Sequence, residues 1–364
     1  MRKKVIGIDC RLAGAKHAGI GRYIENLIRY CVKNEKFDWV LIFHDRQQAK
    51  EIFPKKPAGV RFVYAPVRHY SLKEQLVMPW ILLKENLDLL HVPHFNVPWL
   101  YPKKTVVTIH DLLWHEQRGS AVTTLPGWQY WVKYLGYRLI VRQAVKKAKK
   151  IFVPTETAKI TLRRYYPSSS PKVAVTPEGV EPAYFQKSSK KTKPEKILVY
   201  TGSLYPHKNV RLVIQAMALL PDFKLVLVSA RSVFQKDIRE YVAHHQLEKR
   251  IEFAGYLTDK ELLKLYQKSY ALVFPSLSEG FGLPGLEAMA TGLPVIASDI
   301  PVFREVYHDA AAYFDPYSVA ELVETVRTLE PSRTTLVKEG RGRAKKFSWQ
   351  AMAEQTNKHY ASVL

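Results

Sequence analysis

Short β-branched and aliphatic runs alternate with longer amphipathic stretches along the whole sequence, and this alternation restricts the chain to layered parallel α/β structure. Strand-like runs fall at 5–8, 39–43, 89–92, 105–109 and 151–153, then at 197–201, 224–228, 251–253, 271–274 and 294–297. Helical spacing covers 21–32, 72–84, 128–147 and 156–164, and later 210–219, 234–245, 259–268, 283–290 and 319–329. At 364 residues the chain can build two cores. The polar stretch 181–196, with Ser188-Ser189-Lys190-Lys191-Thr192-Lys193-Pro194, has no apolar period and reads as the linker. The expectation is an α/β unit over 1–180 and a second over 197–346, leaving a cleft between them. Ligands of open α/β sheets sit beyond the carboxyl ends of the strands, so that is where chemistry is sought.

Composition narrows the class. Only Cys10 and Cys31 occur, both in apolar segments and without Cys-x-x-Cys spacing, so neither a disulfide framework nor a thiolate metal cage is indicated. Buried thiols in a reducing cytoplasm fit. The start of the sequence is cationic, but its apolar run stops at Asp9, too soon for a secretory signal and suited to a first strand. No stretch approaches the ~18 apolar residues that span a bilayer. Net charge is +23, and residues 1–180 carry 31 Lys/Arg against 13 Asp/Glu, so the excess lies in the first half. That half is expected to meet something anionic: a membrane surface, a phosphate-bearing acceptor or nucleic acid.

The densest functional signal is Ser278-Glu279-Gly280-Phe281-Gly282-Leu283-Pro284-Gly285-Leu286-Glu287, which leaves an apolar strand, passes through glycines and enters a helix. Glycines allow close backbone approach, and the N–H groups at a helix start suit phosphate. Glu279 before the turn and Glu287 one to two turns into the helix can each accept hydrogen bonds from vicinal hydroxyls. Two carboxylates and a phosphate nest fit a nucleotide sugar. Strand 197–201 leads into Gly202-Ser203-Leu204-Tyr205-Pro206-His207-Lys208, where Lys208 can neutralise the charge growing on a departing diphosphate. In the first half, Thr108-Ile109-His110-Asp111 ends a strand, and His110 there can hydrogen-bond a sugar hydroxyl or polarise an acceptor. The five-residue spacing of His110 and His115 matches no standard metal motif. Gly19 and Gly21, in Ala18-Gly19-Ile20-Gly21-Arg22, follow the first strand, but the dinucleotide fingerprint is incomplete.

The Glu-x7-Glu stretch and its continuation Ala290-Thr291-Gly292-Leu293-Pro294-Val295-Ile296-Ala297-Ser298 resemble glycosyltransferase family four, the retaining enzymes of the GT-B fold, and the resemblance covers nearly the whole chain. It implies two Rossmann-like domains facing each other across a cleft, with 347–364 a last helix returning to the first. It implies transfer, with retention and without a metal or other cofactor, of a hexose-type sugar (mannose, rhamnose, glucose or N-acetylglucosamine). The donor would be a nucleotide diphosphate sugar and the acceptor a glycan or lipid-linked molecule. Glu279 would contact the donor sugar and Glu287 the ribose, within a loop that includes Gly280 and Phe281. The N–H groups of Gly282 and Leu283 would contact the diphosphate, with Lys208. Ser203 and His207 stand where many relatives carry an arginine. Gly19 and Gly21 would close over the phosphates, and Gly255 and Tyr256 would meet the base through their backbone. His110 would lie near the donor sugar, with Asp111 on the acceptor side. No Asp-x-Asp motif for a metal-bound diphosphate occurs.

One further segment carries information about partners. Trp128, Trp131, Tyr134, Leu135 and Tyr137 recur at helical spacing and lead into Arg138, Arg142, Lys146, Lys147, Lys149 and Lys150. Such a helix can lie on anionic lipid as a peripheral contact, or turn its aromatics inward and leave its cations solvated. A nucleotide-sugar epimerase of the same fold is the enzymatic alternative. A basic nucleic-acid-binding protein is the other, though no nucleic-acid-binding motif occurs and no such partner is expected.

Overall fold

The computed structural model describes residues 2–117, 119, 123, 127–186, 194–230 and 233–364. Contacts group Met1–Leu112, Leu125–Gly179 and Trp349–Leu364 into one unit, and Leu113–Thr124 with Val180–Ser348 into a second. The second unit therefore takes in 113–124, expected in the first half, and the described residues of the expected linker, 181–186 and 194–196. Tyr184 is buried there in the 3-10 turn Pro182–Phe185, and its hydroxyl donates to Asp259 Oδ1 at 3.1 Å. Linker residues 187–193 lie outside the described residues.

Among the described residues the first unit has one seven-stranded parallel sheet, with β1 Lys4–Asp9, β2 Phe37–Phe43, β3 Val60–Tyr64, β4 Leu89–Val92, β5 Thr105–Thr108, β6 Lys150–Val153 and β7 Val173–Val175. The order is β3-β2-β1-β4-β5-β6-β7. In β1, Ile6 pairs with Trp39 on one side and Leu89 on the other. Helices cover both faces of such a sheet, so its central strands are apolar throughout rather than alternating.

The second unit repeats the plan with β8 Ile197–Thr201, β9 Lys224–Val228, β10 Ile251–Gly255, β11 Ala271–Phe274, β12 Val295–Ser298 and β13 Ala312–Phe314. Their order is β10-β9-β8-β11-β12-β13, again parallel. In each sheet the strand order reverses once, between β1 and β4 and between β8 and β11. Loops leaving those neighbours diverge, which opens a crevice at their carboxyl ends.

The helix Trp349–Val363 packs within the first unit, with Trp349 and Tyr360 buried. The Tyr360 hydroxyl lies 2.5 Å from His91 Nδ1, while His91 Nε2 meets Thr108 Oγ1 at 2.9 Å. Burial, assisted by the charge of His110, pushes the imidazoles of His91 and His94 down to about 3. Both are therefore neutral in the native state and gain a proton on unfolding below pH ~6.5. The unfolded state binds more protons across that window, so stability is full above it and falls with pH down to about 3. A urea series from pH 7 to pH 4 should lose about 1.4 kcal/mol per pH unit for each histidine. Midpoints unchanged across the series would contradict neutral burial. Among the described residues, no helix is long and apolar enough to cross a membrane.

Candidate active site

Strand β11 is apolar and fully buried, so its exit is held rigidly in the centre of the second sheet. The chain then runs through Ser276 and Glu279 to Gly282, whose φ of +97° reverses it into the helix Leu283–Thr291. A side chain at Gly282 or Gly285 would collide with Tyr307, whose hydroxyl donates to the Gly282 carbonyl at 2.5 Å. These glycines thus serve tyrosine packing as well as any ligand approach, which the sequence pattern alone does not reveal. Pro284 has no N–H, so the donors at the mouth of this helix are those of Gly282 and Leu283.

The neighbouring loop leaves β8 and enters the 3-10 turn Pro206–Lys208. Asn209, at φ +56°, caps the next helix, Val210–Ala218, and its side-chain amide donates to the Pro316 carbonyl at 2.7 Å. The Leu277 N–H donates to the His207 carbonyl at 2.8 Å, stitching the β8 and β11 loops together. That stitch brings Lys208 Nζ to 2.6 Å from Glu279 Oε1, which also accepts from Ser276 Oγ at 2.8 Å. The lysine and glutamate side chains are only 17% and 11% exposed, so their attraction is weakly screened. Two residues 71 positions apart thus meet at the second sheet's switch point, and both were expected to grip a donor. The buried hydroxyls of Tyr200 and Tyr307 are pushed well above the usual tyrosine range by burial and then by the Glu279 charge. They remain neutral hydrogen-bond donors.

The other donor-side candidates divide by exposure. Glu287 is buried on the helix Leu283–Thr291. Phe281 is buried edge-to-face on Phe347 at 5.5 Å, so its side chain braces the loop. His207 is buried within its turn, while Ser203 is half-buried and its carbonyl accepts the Tyr200 hydroxyl. Gly280 is half-buried beside Glu279. Gly255, at φ +69°, sits at a register shift where β10 ends, and Tyr256 beyond it is exposed. Strands β9 and β8 separate β10 from β11, a span of about 14 Å that an extended nucleotide can bridge. The sequence reading missed Ser276, Tyr307 and Glu116, the last accepting from Ser278 Oγ at 3.3 Å.

His110, Asp111, Gly19 and Gly21 belong to the first unit. His110 follows β5, its Nδ1 3.4 Å from Glu178 Oε1, its Nε2 3.3 Å from the Pro93 carbonyl, and its ring edge-on to Tyr23 at 4.6 Å. Both nitrogens face acceptors, the Glu178 carboxylate and the Pro93 carbonyl, which fix the plane of the ring. Asp111 is exposed beside it. A side chain at Gly21 would collide with the Gly14 carbonyl, so this glycine serves turn packing, whereas Gly19 faces open space. Among the described residues, no group of three or more His, Cys, Asp or Glu is placed to hold a metal ion.

The first unit's switch point holds a polar cluster absent from the sequence reading. Arg11 donates through Nε and Nη2 to Asp9 at 2.9 and 2.6 Å, and through Nη2 to Glu74 Oε1 at 2.7 Å. Glu74 Oε2 accepts from the Tyr70 N–H at 2.8 Å and from Asn96. His69 Nδ1 lies 3.1 Å from Glu74 Oε1 but off the line of a hydrogen bond.

Comparison with known proteins fits this anatomy. Residues 17–184 match the model for Glycosyltransferase Family 4, and residues 182–346 match that for Glycosyl transferases group 1. The chain is 28% identical to the O-antigen chain mannosyltransferase RfbU of Salmonella typhimurium, covering 73% of this chain and 71% of that one. It is 25% identical to O-antigen chain mannosyltransferase B of Escherichia coli, over 94% and 95%. The fold matches Anabaena Alr3699/HepE, solved in complex with UDP and glucose, with a TM-score of 0.76, 15% identity and coverage of 99% and 100%. Two parallel α/β units of this order, with these matches, define a glycosyltransferase of the GT-B fold. The chain belongs to glycosyltransferase family 4, with the group 1 glycosyl transferase module in its second half.

Proposed function

We propose that this glycosyltransferase is a retaining mannosyltransferase that elongates a glycan or lipid-linked acceptor from a nucleotide diphosphate sugar, without a metal. The pairing of Lys208 with Glu279 at the second sheet's switch point carries the reading. It sets a cation for diphosphate beside a carboxylate for sugar hydroxyls. Mannose is favoured by the names of the two O-antigen mannosyltransferases, and a nucleotide donor by the UDP and glucose in the HepE complex.

In this scheme Glu279 orients the sugar, Glu287 the ribose, and Lys208 with the N–H groups of Gly282 and Leu283 stabilises the leaving diphosphate. The bond from anomeric carbon to phosphate oxygen breaks as the acceptor oxygen bonds to the same face. The acceptor's proton passes to the departing phosphate oxygen, so no enzymic nucleophile is required. His110 acts on the sugar and Asp111 on the acceptor.

A thermal-shift panel of nucleotide sugars tests the donor, because a ligand at 100 times its Kd stabilises the native state by about 2.7 kcal/mol. A mannose donor should give the largest shift, transfer should survive a chelator, and NMR of the product should show the donor's anomeric configuration. No shift from any nucleotide sugar would remove the donor reading. A larger shift with glucose would remove the mannose assignment, and an inverted product the retention.

A further inference from the structure

Eighteen large apolar side chains stand exposed among the described residues, and fourteen of them lie in the first unit. Their arrangement is not scattered. On the helix Leu72–Lys84, Leu72, Leu76, Trp80 and Leu83 recur three and four apart and form one outward stripe, with Leu72 86% and Trp80 69% exposed. Met78 and Leu82 fill the opposite, buried face, so this helix is apolar on two sides. The helix Gly127–Lys147 repeats the pattern. Tyr130, Tyr134, Val141 and Val145 point inward, while Trp128, Trp131, Val132, Leu135 and Leu139 point outward. The sequence alone leaves open which way its aromatics face; the structure splits them between the two sides.

The two stripes are tied through one short segment. The Trp99 N–H donates to Gln75 on the first helix at 2.7 Å, and Lys147 of the second donates to the Trp99 carbonyl at 3.1 Å. Trp99 and Leu100 are themselves exposed there. Core packing requires only one apolar face per helix, so the second face on each is surplus to the core of the unit.

Charge identifies what covers it. The helix Gly127–Lys147 contains no carboxylate, and the only one in Leu72–Lys84 is Glu74, buried against Arg11. The exposed charges carried by the two helices themselves are Lys73, Lys84, Lys133, Arg142 and Lys146, all positive. Lys84 also lies 5.5 Å over the Trp80 ring. A second copy of the chain would set these cations against each other across a twofold axis. An apolar stripe edged by tryptophan and lysine instead fits the interface of a bilayer with anionic headgroups. We propose that the first unit docks on an anionic phospholipid surface through both helices and the Trp99–Leu100 turn. The proposal stands independently of which sugar the second unit binds.

Vesicle flotation of the full chain tests it, with phosphatidylcholine alone and with phosphatidylglycerol added. The chain should float with the anionic vesicles, about tenfold more weakly with the neutral ones, and lose binding at high salt. The pairs Leu76→Glu with Trp80→Glu, and Trp128→Glu with Leu135→Glu, should each abolish flotation. These positions are exposed, and an unchanged melting temperature and donor-induced shift will show that both units remain folded. Three results would overturn the proposal. One is no flotation of the parent chain with either vesicle, and another is flotation undiminished in both paired variants. The third is a parent dimer by sedimentation that the variants dissociate, which assigns the face to a second copy.

Discussion

Lys208→Ala is expected to lower the rate of sugar transfer about 100- to 1000-fold, the cost typical of removing one preorganised donor from developing negative charge. The effect should fall mainly on kcat, because the diphosphate gains charge as the glycosidic bond breaks and the proposed scheme sets Lys208 as the cation at that point. The substitution also strips Glu279 of its partner at 2.6 Å, leaving only Ser276 on the same oxygen. Lys208→Arg separates the two effects by restoring charge with a different shape, and it should recover part of the rate. Steady-state release of the nucleotide diphosphate, alongside melting curves to confirm folding, provides the measurement. A folded Lys208→Ala enzyme with the parental kcat would remove the lysine from the mechanism.

Arg11→Met is expected to destabilise the first unit by roughly 3–5 kcal/mol, because it leaves the buried carboxylates of Asp9 and Glu74 without their cation. Burial alone would raise the Asp9 carboxyl, but the charge and hydrogen bonds of Arg11, with some help from His69, hold it below its ordinary value. A depressed carboxyl contributes stability above its unfolded value of about 3.9, and that contribution is lost as pH falls through the folded value. In Arg11→Met burial outweighs the smaller pull of His69 and the sign reverses, so the variant should recover part of its deficit on acidification. Combining it with Asp9→Asn and Glu74→Gln should restore much of the stability at neutral pH, since no buried charge then remains. The difference in stability between variant and parent, from denaturation curves at pH 7 and pH 5, reports the variant's recovery, since the buried histidines affect both proteins alike and the parent's Asp9 contribution is lost only below about pH 3.9. An Arg11→Met protein as stable as its parent would show that the cluster is solvated.

The central strands were legible because burial on both faces demands continuous apolar runs, and β9 and β11 fall on the residues that pattern marks. The edge strands β3, β7 and β13 escaped it, since strands at a sheet margin are only partly covered and need no such run, and at the edge strand β10 the pattern marked 251–253 alone. The helix Leu329–Ala344 escaped for a similar reason: only four of its side-chain positions are buried, and two glycines interrupt it. At the candidate site, residue types sufficed to mark Lys208 and Glu279, because a strand exit with glycines, a carboxylate and a cation is a chemical pattern. The burial of His207 and Phe281 was not legible, because it depends on what packs behind each loop.

By itself, then, the sequence determined the layered α/β class with its two parallel-sheet units, and it marked candidate residues for a diphosphate sugar. Periodicity and local chemistry act over a few residues and are written in order along the chain. Only the tertiary structure decided that Leu277 joins His207 and so brings Lys208 to Glu279. It alone placed Tyr307 against Gly282 and Gly285, gathered Asp9, Arg11 and Glu74, and turned one side of two helices outward. Those contacts join residues tens of positions apart, and their energy comes from burial and mutual compensation of charge, which no local pattern encodes.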